Sequence, residues 1–305
     1  MTPPPTPDSS AAHPHPGAAR TGVRAGAFAR VLVGFDSVPG SFDALKLGAG
    51  LAEPGEAELI LTAVLSGWPE AIAPGEYAGL VLEEERRVTR EASALLGARE
   101  FRVDAIAGGS AAEGLRSLAA AEEADLIVIG STHRGPVGRV LPGSVGERVL
   151  DGAPCAVAIA PRGLAEREPE LRRVLVGCDG SRESLAAVEL AATVAEASGA
   201  RLTLLGVVEM RFDLAGFPRP AAPAEVARIE RALARARRGL SPTLSPEIKE
   251  VHGVAAEVIA AAAGDADLLV VGSRGQYGPL RRTLLGSVAA KLARSAPCAT
   301  LITPA

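Results

Sequence analysis

The sequence predicts an α/β protein of two like domains in tandem, each doubly wound in the Rossmann manner. Three observations carry that prediction. The chain first repeats itself over a long period. "RVLVGFDS" (Arg30 to Ser37) returns as "RVLVGCDG" (Arg173 to Gly180), 143 residues later by its aspartates (179 − 36). "ADLIVIGS" returns as "ADLLVVGS" after 142 (267 − 125), and "GSV" and "APC" each after 143 (286 − 143 and 298 − 155). A solenoid unit spans about 20–50 residues, so this period marks a duplicated domain. Within each copy, short apolar β-rich runs alternate with longer amphipathic segments, the pattern of a mostly parallel sheet covered by helices on both faces. Finally, Gly and Asp recur at the ends of the apolar runs, where such sheets bind ligands.

In chain order, residues 1–28, opening "MTPPPTPDSSAAHPHPGAAR", are too rich in Pro and small residues to fold alone and read as a disordered tail. Its His13 and His15 lack further ligands and make a poor metal site. Residues 29–161 form the first domain. Residues 162–170 follow as a charged linker, and 171–305 form the second domain. In the second copy the strands read "RVLVGCD", "RLTLLGVVE", "IKEVH", "DLLVVG" and "CATLIT". The helices between them read "SLAAVELAATVAEAS", "AEVARIERALARARRGL", "AAEVIAAAAG" and "SVAAKLARS". Strands apolar at nearly every position are expected to be buried on both faces.

Composition narrows the function. Hydrophobic residues are 48% of the 305 but aromatics only 3%, so the core must be built from Ala, Val, Leu and Ile. The net charge of −4 comes from interspersed charges without the basic stripe of a nucleic-acid binder. No apolar run approaches the 18 or so residues of a membrane span, and no secretory signal is legible. Cys155, Cys178 and Cys298, an odd number in apolar runs, read as buried thiols in a reducing compartment. A cytoplasmic protein is expected.

Three features mark a ligand site in each copy. Asp36 and Asp179 close the first strand; Gly34 and Gly177 lie two residues before them. Gly130 and Gly272 end the fourth strand and open a glycine-containing loop. That loop runs into Gly143-Ser144-Val145 or Gly286-Ser287-Val288 at the start of the last helix. Glycines allow close backbone approach, and a helix N-terminus leaves N–H groups for an anion, so the loop chemistry is that of phosphate binding. A helix terminus contributes only about 0.3–1 kcal/mol, so burial of a base and cations such as Arg139 or Arg282 must add to it. The bland reading of each feature is a cap or a turn residue. Coincidence in both copies favours a ligand. "GSTHRGPV" is no Walker A loop, a dinucleotide fingerprint is missing, and no zinc helix is present.

"VLVGCDGS", "ADLLVVGSRG", "GPLRRTLLGSV" and "APC" before a terminal strand resemble the universal stress protein family in its tandem-domain form. The resemblance covers both copies. It implies an adenine-nucleotide α-hydrolase-like sheet of order 3-2-1-4-5, with ATP across the ends of the first and fourth strands, one per domain. It implies that Asp36 and Asp179 bond around the adenosine and that Val64 and Val207 pack on the base. Gly272, Gly275, Gly286, Ser287 and Val288 would hold ribose and phosphates in the second copy. Both copies depart from the family loop Gly-x2-Gly-x9-Gly-Ser/Thr. His133 stands at the second glycine of the first, with Gly135 following. Gly275 to Gly286 encloses ten residues, not nine.

The expectation is therefore an ATP-binding, nucleotide-responsive stress factor with no dedicated enzymatic activity. Slow hydrolysis with Mg²⁺ riding on the nucleotide is left open. The alternative is a nucleotide-free interaction module with vestigial pockets. An adenylylating enzyme of related fold would want Ser-Gly-Gly-x-Asp-Ser or His-x-Gly-His, absent here. The last strands, "CAVAIA" and "CATLIT", lie at sheet edges in this strand order and invite pairing with each other. The chain should be a closed pseudo-dimer, any further homodimer using other surfaces.

Overall fold

A computed structural model describes residues 26–66, 74–132, 136–167, 170–212, 218–219, 221–275 and 285–304. Residues 1–25 of the tail, His133, Gly135 and Arg282 lie outside the described residues. The first domain runs β1 (Arg30–Gly34), α1 (Pro39–Ala52), β2 (Glu58–Ser66), α2 (Pro74–Leu96), β3 (Arg102–Gly108), α3 (Ala111–Ala121), β4 (Leu126–Gly130), α4 (Ser144–Leu150) and β5 (Ala156–Ala160). The second runs β6 (Arg173–Gly177), α5 (Arg182–Ser198), β7 (Arg201–Glu209), a two-residue hairpin β8 (Arg211–Phe212) and β9 (Pro218–Arg219), and α6 (Pro223–Gly239). It continues with β10 (Glu247–Gly253), α7 (Ala255–Ala262), β11 (Leu268–Gly272), α8 (Ser287–Ser295) and β12 (Ala299–Thr303).

Each domain has the strand order 3-2-1-4-5, and the two sheets fuse into one of ten strands, β10-β7-β6-β11-β12-β5-β4-β1-β2-β3. The strands within a domain are parallel, whereas β12 meets β5 antiparallel. The central pair across this seam is Ala158 with Leu301, equivalent residues 143 apart (301 − 158), flanked by Thr300–Ile159 and Ile302–Val157. A pseudo-twofold axis therefore passes through Ala158 and Leu301. The two edge strands satisfy each other's ladder, which removes an aggregation-prone edge from each domain.

Period-two alternation then divides the core. Val31 and Val33 of β1 join a cluster on one face with Leu126 and Val128 of β4. Leu32, Ile127 and Ile129 join a second cluster on the other face. Both clusters contain residues of both domains, so the packing is continuous across the seam. α5 begins at Ser181, whose Oγ accepts from the Ser184 N–H at 3.2 Å, and ends on Gly199 at φ 68°, a left-handed cap.

One expectation needs correction. The strand around "IKEVH" is not buried on both faces: β10 is exposed along nearly its whole length. It is the outermost strand of the sheet, and Glu247, Lys249 and Glu250 blunt that edge with charge. The β8–β9 hairpin has no counterpart in the sequence reading. The linker is held down by Asp43, 3% exposed, whose carboxylate accepts from the N–H groups of Gly163 and Ala165 at 2.9 and 2.8 Å. Among the described residues no helix is long and apolar enough to cross a membrane.

Candidate functional site

The carboxyl ends of β6, β7 and β11 and the start of α8 enclose a cavity of about 460 Å³. It is lined by Gly177, Asp179, Val207, Gly272, Gly275, Gly286, Ser287 and Val288. These eight residues come from four separate stretches of sequence, brought to one place by the parallel sheet. A volume of this size falls within the range of small-molecule sites.

The Asp179 turn is tightly built. Its carboxylate accepts from the Ser181 N–H at 2.9 Å and the Ser181 hydroxyl at 2.6 Å. The Asp179 and Gly180 N–H groups donate to Ser184 Oγ at 3.3 and 3.1 Å, and Gly180 sits at φ 84°. Arg228 of α6 reaches over the turn, donating to the Asp179 carbonyl at 2.8 Å and to Glu225 at 2.6 Å. Gly275 lies against this carboxylate: a Cβ there would fall 2.8 Å from Asp179 Oδ2. Gly286 caps α8 without a side-chain bond, and its own N–H donates to Ser273 O at 2.8 Å. The first-turn N–H groups of α8 thus open on the cavity. Val207, Leu205, Ile259 and Val271 form an apolar wall, and Cys178 lies beside them with its thiol pushed up by burial.

Two glycines have a structural reason to be glycine. A Cβ on Gly272 would fall 2.7 Å from the backbone of Glu183, and one on Gly130 would fall 1.8 Å from Gly40 O. Both positions let the first helix of their domain pack closely on the fourth strand.

The first copy arranges its residues differently. Asp36 is exposed and, among the described residues, accepts a long 3.4 Å bond from Val38 N–H. Ser37 takes the left-handed turn position at φ 62° that Gly180 takes in the second copy, with its hydroxyl bound by Arg87. Val64 packs on α3, where a Cβ on Gly114 would come within 2.8 Å of it. A Cβ on Gly34 would meet Leu115 at 3.2 Å. Gly143 caps α4 without a side-chain bond, and Ser144 and Val145 are exposed. The described residues before α4 are tied to the protein: Thr132 N–H donates to Leu141 O at 2.8 Å, Leu141 N–H to Ser131 Oγ at 3.0 Å, and Gly138 N–H to Arg162 O at 2.8 Å. Across the seam, Val140 N–H donates to Ala296 O at 2.9 Å and the Arg139 guanidinium to Ser295 O at 3.0 Å. Arg139 thus binds the carboxyl end of α8.

Sequence reading missed Arg228, Glu225, Arg274, Ser184 and Ile259, all of which line the cavity. A signal for two of them exists: Glu84–Arg87 in α2 and Glu225–Arg228 in α6 are the same i,i+3 ion pair at the same place in each copy.

A family model described as the universal stress protein family matches residues 27–161 and again 170–304. The chain belongs to the universal stress protein family. As a tandem universal stress protein it is similar to one from Mycolicibacterium smegmatis, 28% identical over 298 residues that span 89% of this chain and 96% of that one. A universal stress protein of Mycobacterium tuberculosis is 36% identical over 176 residues, 54% of this chain and 57% of the relative. The crystal structure of a universal stress protein from Archaeoglobus fulgidus superposes with a TM-score of 0.69 at 19% identity, covering 90% of this chain and 98% of that one, a likeness of fold.

The second-copy cavity suits ATP. The apolar wall would take the base, Asp179 the ribose, and the Gly272–Gly275 turn, Arg274 and the α8 N-terminus the phosphates. Among the described residues no group of three or more His, Cys, Asp and Glu could hold a metal ion.

Proposed function

We propose that this universal stress protein binds ATP in its second domain and responds to the nucleotide as a stress factor, the bound ATP acting as a regulatory ligand. The observation that carries this reading is the meeting of eight residues, picked from sequence alone, in one cavity that offers an apolar wall, a carboxylate and an uncapped helix N-terminus. A binding role, not catalysis, is supported by the kind of polar group present. Asp179 already accepts from Ser181 through Oδ1, and burial pushes the Cys178 thiol in the cavity toward its protonated form.

The alternative of a nucleotide-free module suits the first domain. A phosphate needs free backbone N–H groups, and those of Thr132, Gly138, Val140 and Leu141 already donate to protein oxygens. The first domain is then the structural half of the pseudo-dimer.

Mass spectrometry of a denatured extract of the purified chain tests both statements, with calorimetry for stoichiometry. The expected result is one adenine nucleotide per chain. Two per chain would restore the first site, and none at millimolar ATP would leave the second cavity without this role. ADP accumulating over many turnovers would move the protein among the enzymes.

A further inference from the structure

At the opposite end of the second domain's strands, where β6, β7, β11 and β12 begin, a separate groove of about 590 Å³ opens between the domains. Its floor is apolar, from Leu47 and Leu51 of α1 to Leu268 and Ala299. Among the described residues its charged lining is Lys46, Arg162, Arg167, Arg172, Arg173 and Arg201 against Glu170 and Asp267. Arg172 pairs with Glu170, and Arg173 with Asp267 at 3.3 Å.

The pseudo-twofold supplies an internal control. Positions related by the pseudo-twofold carry the opposite charge at two key places. Glu58 stands where the second domain has Arg201 (201 − 58 = 143), and Glu189 of α5 is the equivalent of Lys46 (189 − 46 = 143). In the first domain Arg30 and Glu58 are direct cross-strand partners and form an ion pair at 3.2 Å. In the second, the same register places Arg173 directly opposite Arg201. Like charges directly opposite on neighbouring strands destabilise a sheet. The second domain therefore sets two arginines side by side at the mouth of a cavity, with Asp267 paired to Arg173, where its twin holds a neutral pair.

We propose that this groove is a second ligand site, for a small organic anion carrying two or more phosphate groups. Guanidinium groups bind phosphate oxygens two at a time, and a bound phosphate between Arg173 and Arg201 would relieve their repulsion. Lys46 and Arg162 reach the groove from the first domain and its linker, so the site exists only in the paired form. The apolar floor would take the organic part, and the volume is that of a small-molecule site.

The test is titration of inorganic triphosphate into the full chain carrying Gly286→Val, which obstructs the nucleotide cavity at the other end of the strands. A saturable binding event is expected that weakens about tenfold or more as added salt shortens the screening length. Lys46→Glu with Arg201→Glu, which installs the residues found at the twofold-related positions, should weaken it at least about tenfold and leave ATP binding in the otherwise native chain unchanged. Arg201→Gln alone should raise the melting temperature of the ligand-free chain while lowering triphosphate affinity, a combination that misfolding could not produce. Equal triphosphate affinity with and without the double substitution would overturn the proposal. So would the absence of saturable binding, or capture of an oligo-glutamate peptide in preference to triphosphate, which would assign the groove to an acidic protein segment.

Discussion

The segments that follow β4 and β11 are equivalent in sequence, and their described residues make different contacts. After β4 the chain folds back at once: Ser131 and Pro142 form an isolated antiparallel bridge, and Ser131 Oγ donates to Ala160 O at 2.6 Å. After β11, Gly275 and Gly286 stand at a cavity that also holds Asp179, and the equivalent hydroxyl, Ser273 Oγ, is buried without a partner among the described residues. The Gly-Ser-Val phrase therefore stands beside a loop tied back onto the protein in one copy and beside a cavity in the other. In the first copy the tie is made by the loop's own N–H groups. Part of it comes from the other domain, since Val140 N–H and the Arg139 guanidinium donate to the Ala296 and Ser295 carbonyls at the end of α8.

The comparison can be broken most decisively at its two capping glycines. A Cβ on Gly286 would stand 3.3 to 3.5 Å from the backbone of Ser273, Arg274 and Gly275, and the rest of a valine side chain would enter the phosphate space. Gly286→Val is expected to weaken ATP by about a hundredfold or more, roughly 2.7 kcal/mol, by calorimetry. Gly143→Val, at the equivalent place, should leave the isotherm as it is. Equal losses in the two variants would mean that both domains bind.

Gly275→Ala tests the meeting of loop and aspartate. Its Cβ would press on Asp179 Oδ2 at 2.8 Å, so the carboxylate must move. About a tenfold loss of ATP affinity is expected, near 1.4 kcal/mol. Unchanged affinity would separate Asp179 from the ligand.

Ser287→Ala should cost less, about 1 kcal/mol of binding, as for one neutral hydrogen bond. Ser144→Ala should cost nothing in the same assay.

One effect, on stability instead of binding, should be shared by both halves. Cys155 and Cys298 are equivalent residues whose thiols are pushed up to about 12, chiefly by burial, from an unfolded value of 9.0. The folded state then holds protons that the unfolded state releases, so stability is complete below pH 9 and declines from there toward about 12. Replacing both by Ala should flatten that part of a denaturation-versus-pH profile. An equal decline in the double variant would assign it to other groups.

Much of the fold was legible because its signals are local or periodic. The repeat, apolar strands such as "LIVIG" and "LLVVG", and the glycines at strand ends are one-dimensional patterns whose physical meaning hardly depends on the rest of the chain. The seam between β5 and β12 was also readable, because an apolar edge strand demands a partner and the chain carries two. The same patterns named Gly177, Asp179, Gly272, Gly286, Ser287 and Val288 of the second cavity, for a parallel sheet gathers its strand ends on one side, and the family resemblance added Val207 and Gly275.

Tertiary structure alone decided the rest. Arg139 looked like a phosphate ligand from its place in the loop, and only the packed domains show its guanidinium on Ser295. Arg228 looked like one charge among many on a polar helix face, until α6 laid it across the Asp179 turn. Arg173 and Arg201 stand 28 residues apart in the chain (201 − 173), and the register of β6 on β7 sets them face to face. In each case the side chain's chemistry is fixed by what a distant segment brings within about 3 Å of it, the range in which a hydrogen bond forms. Periodicity carries no record of such distances.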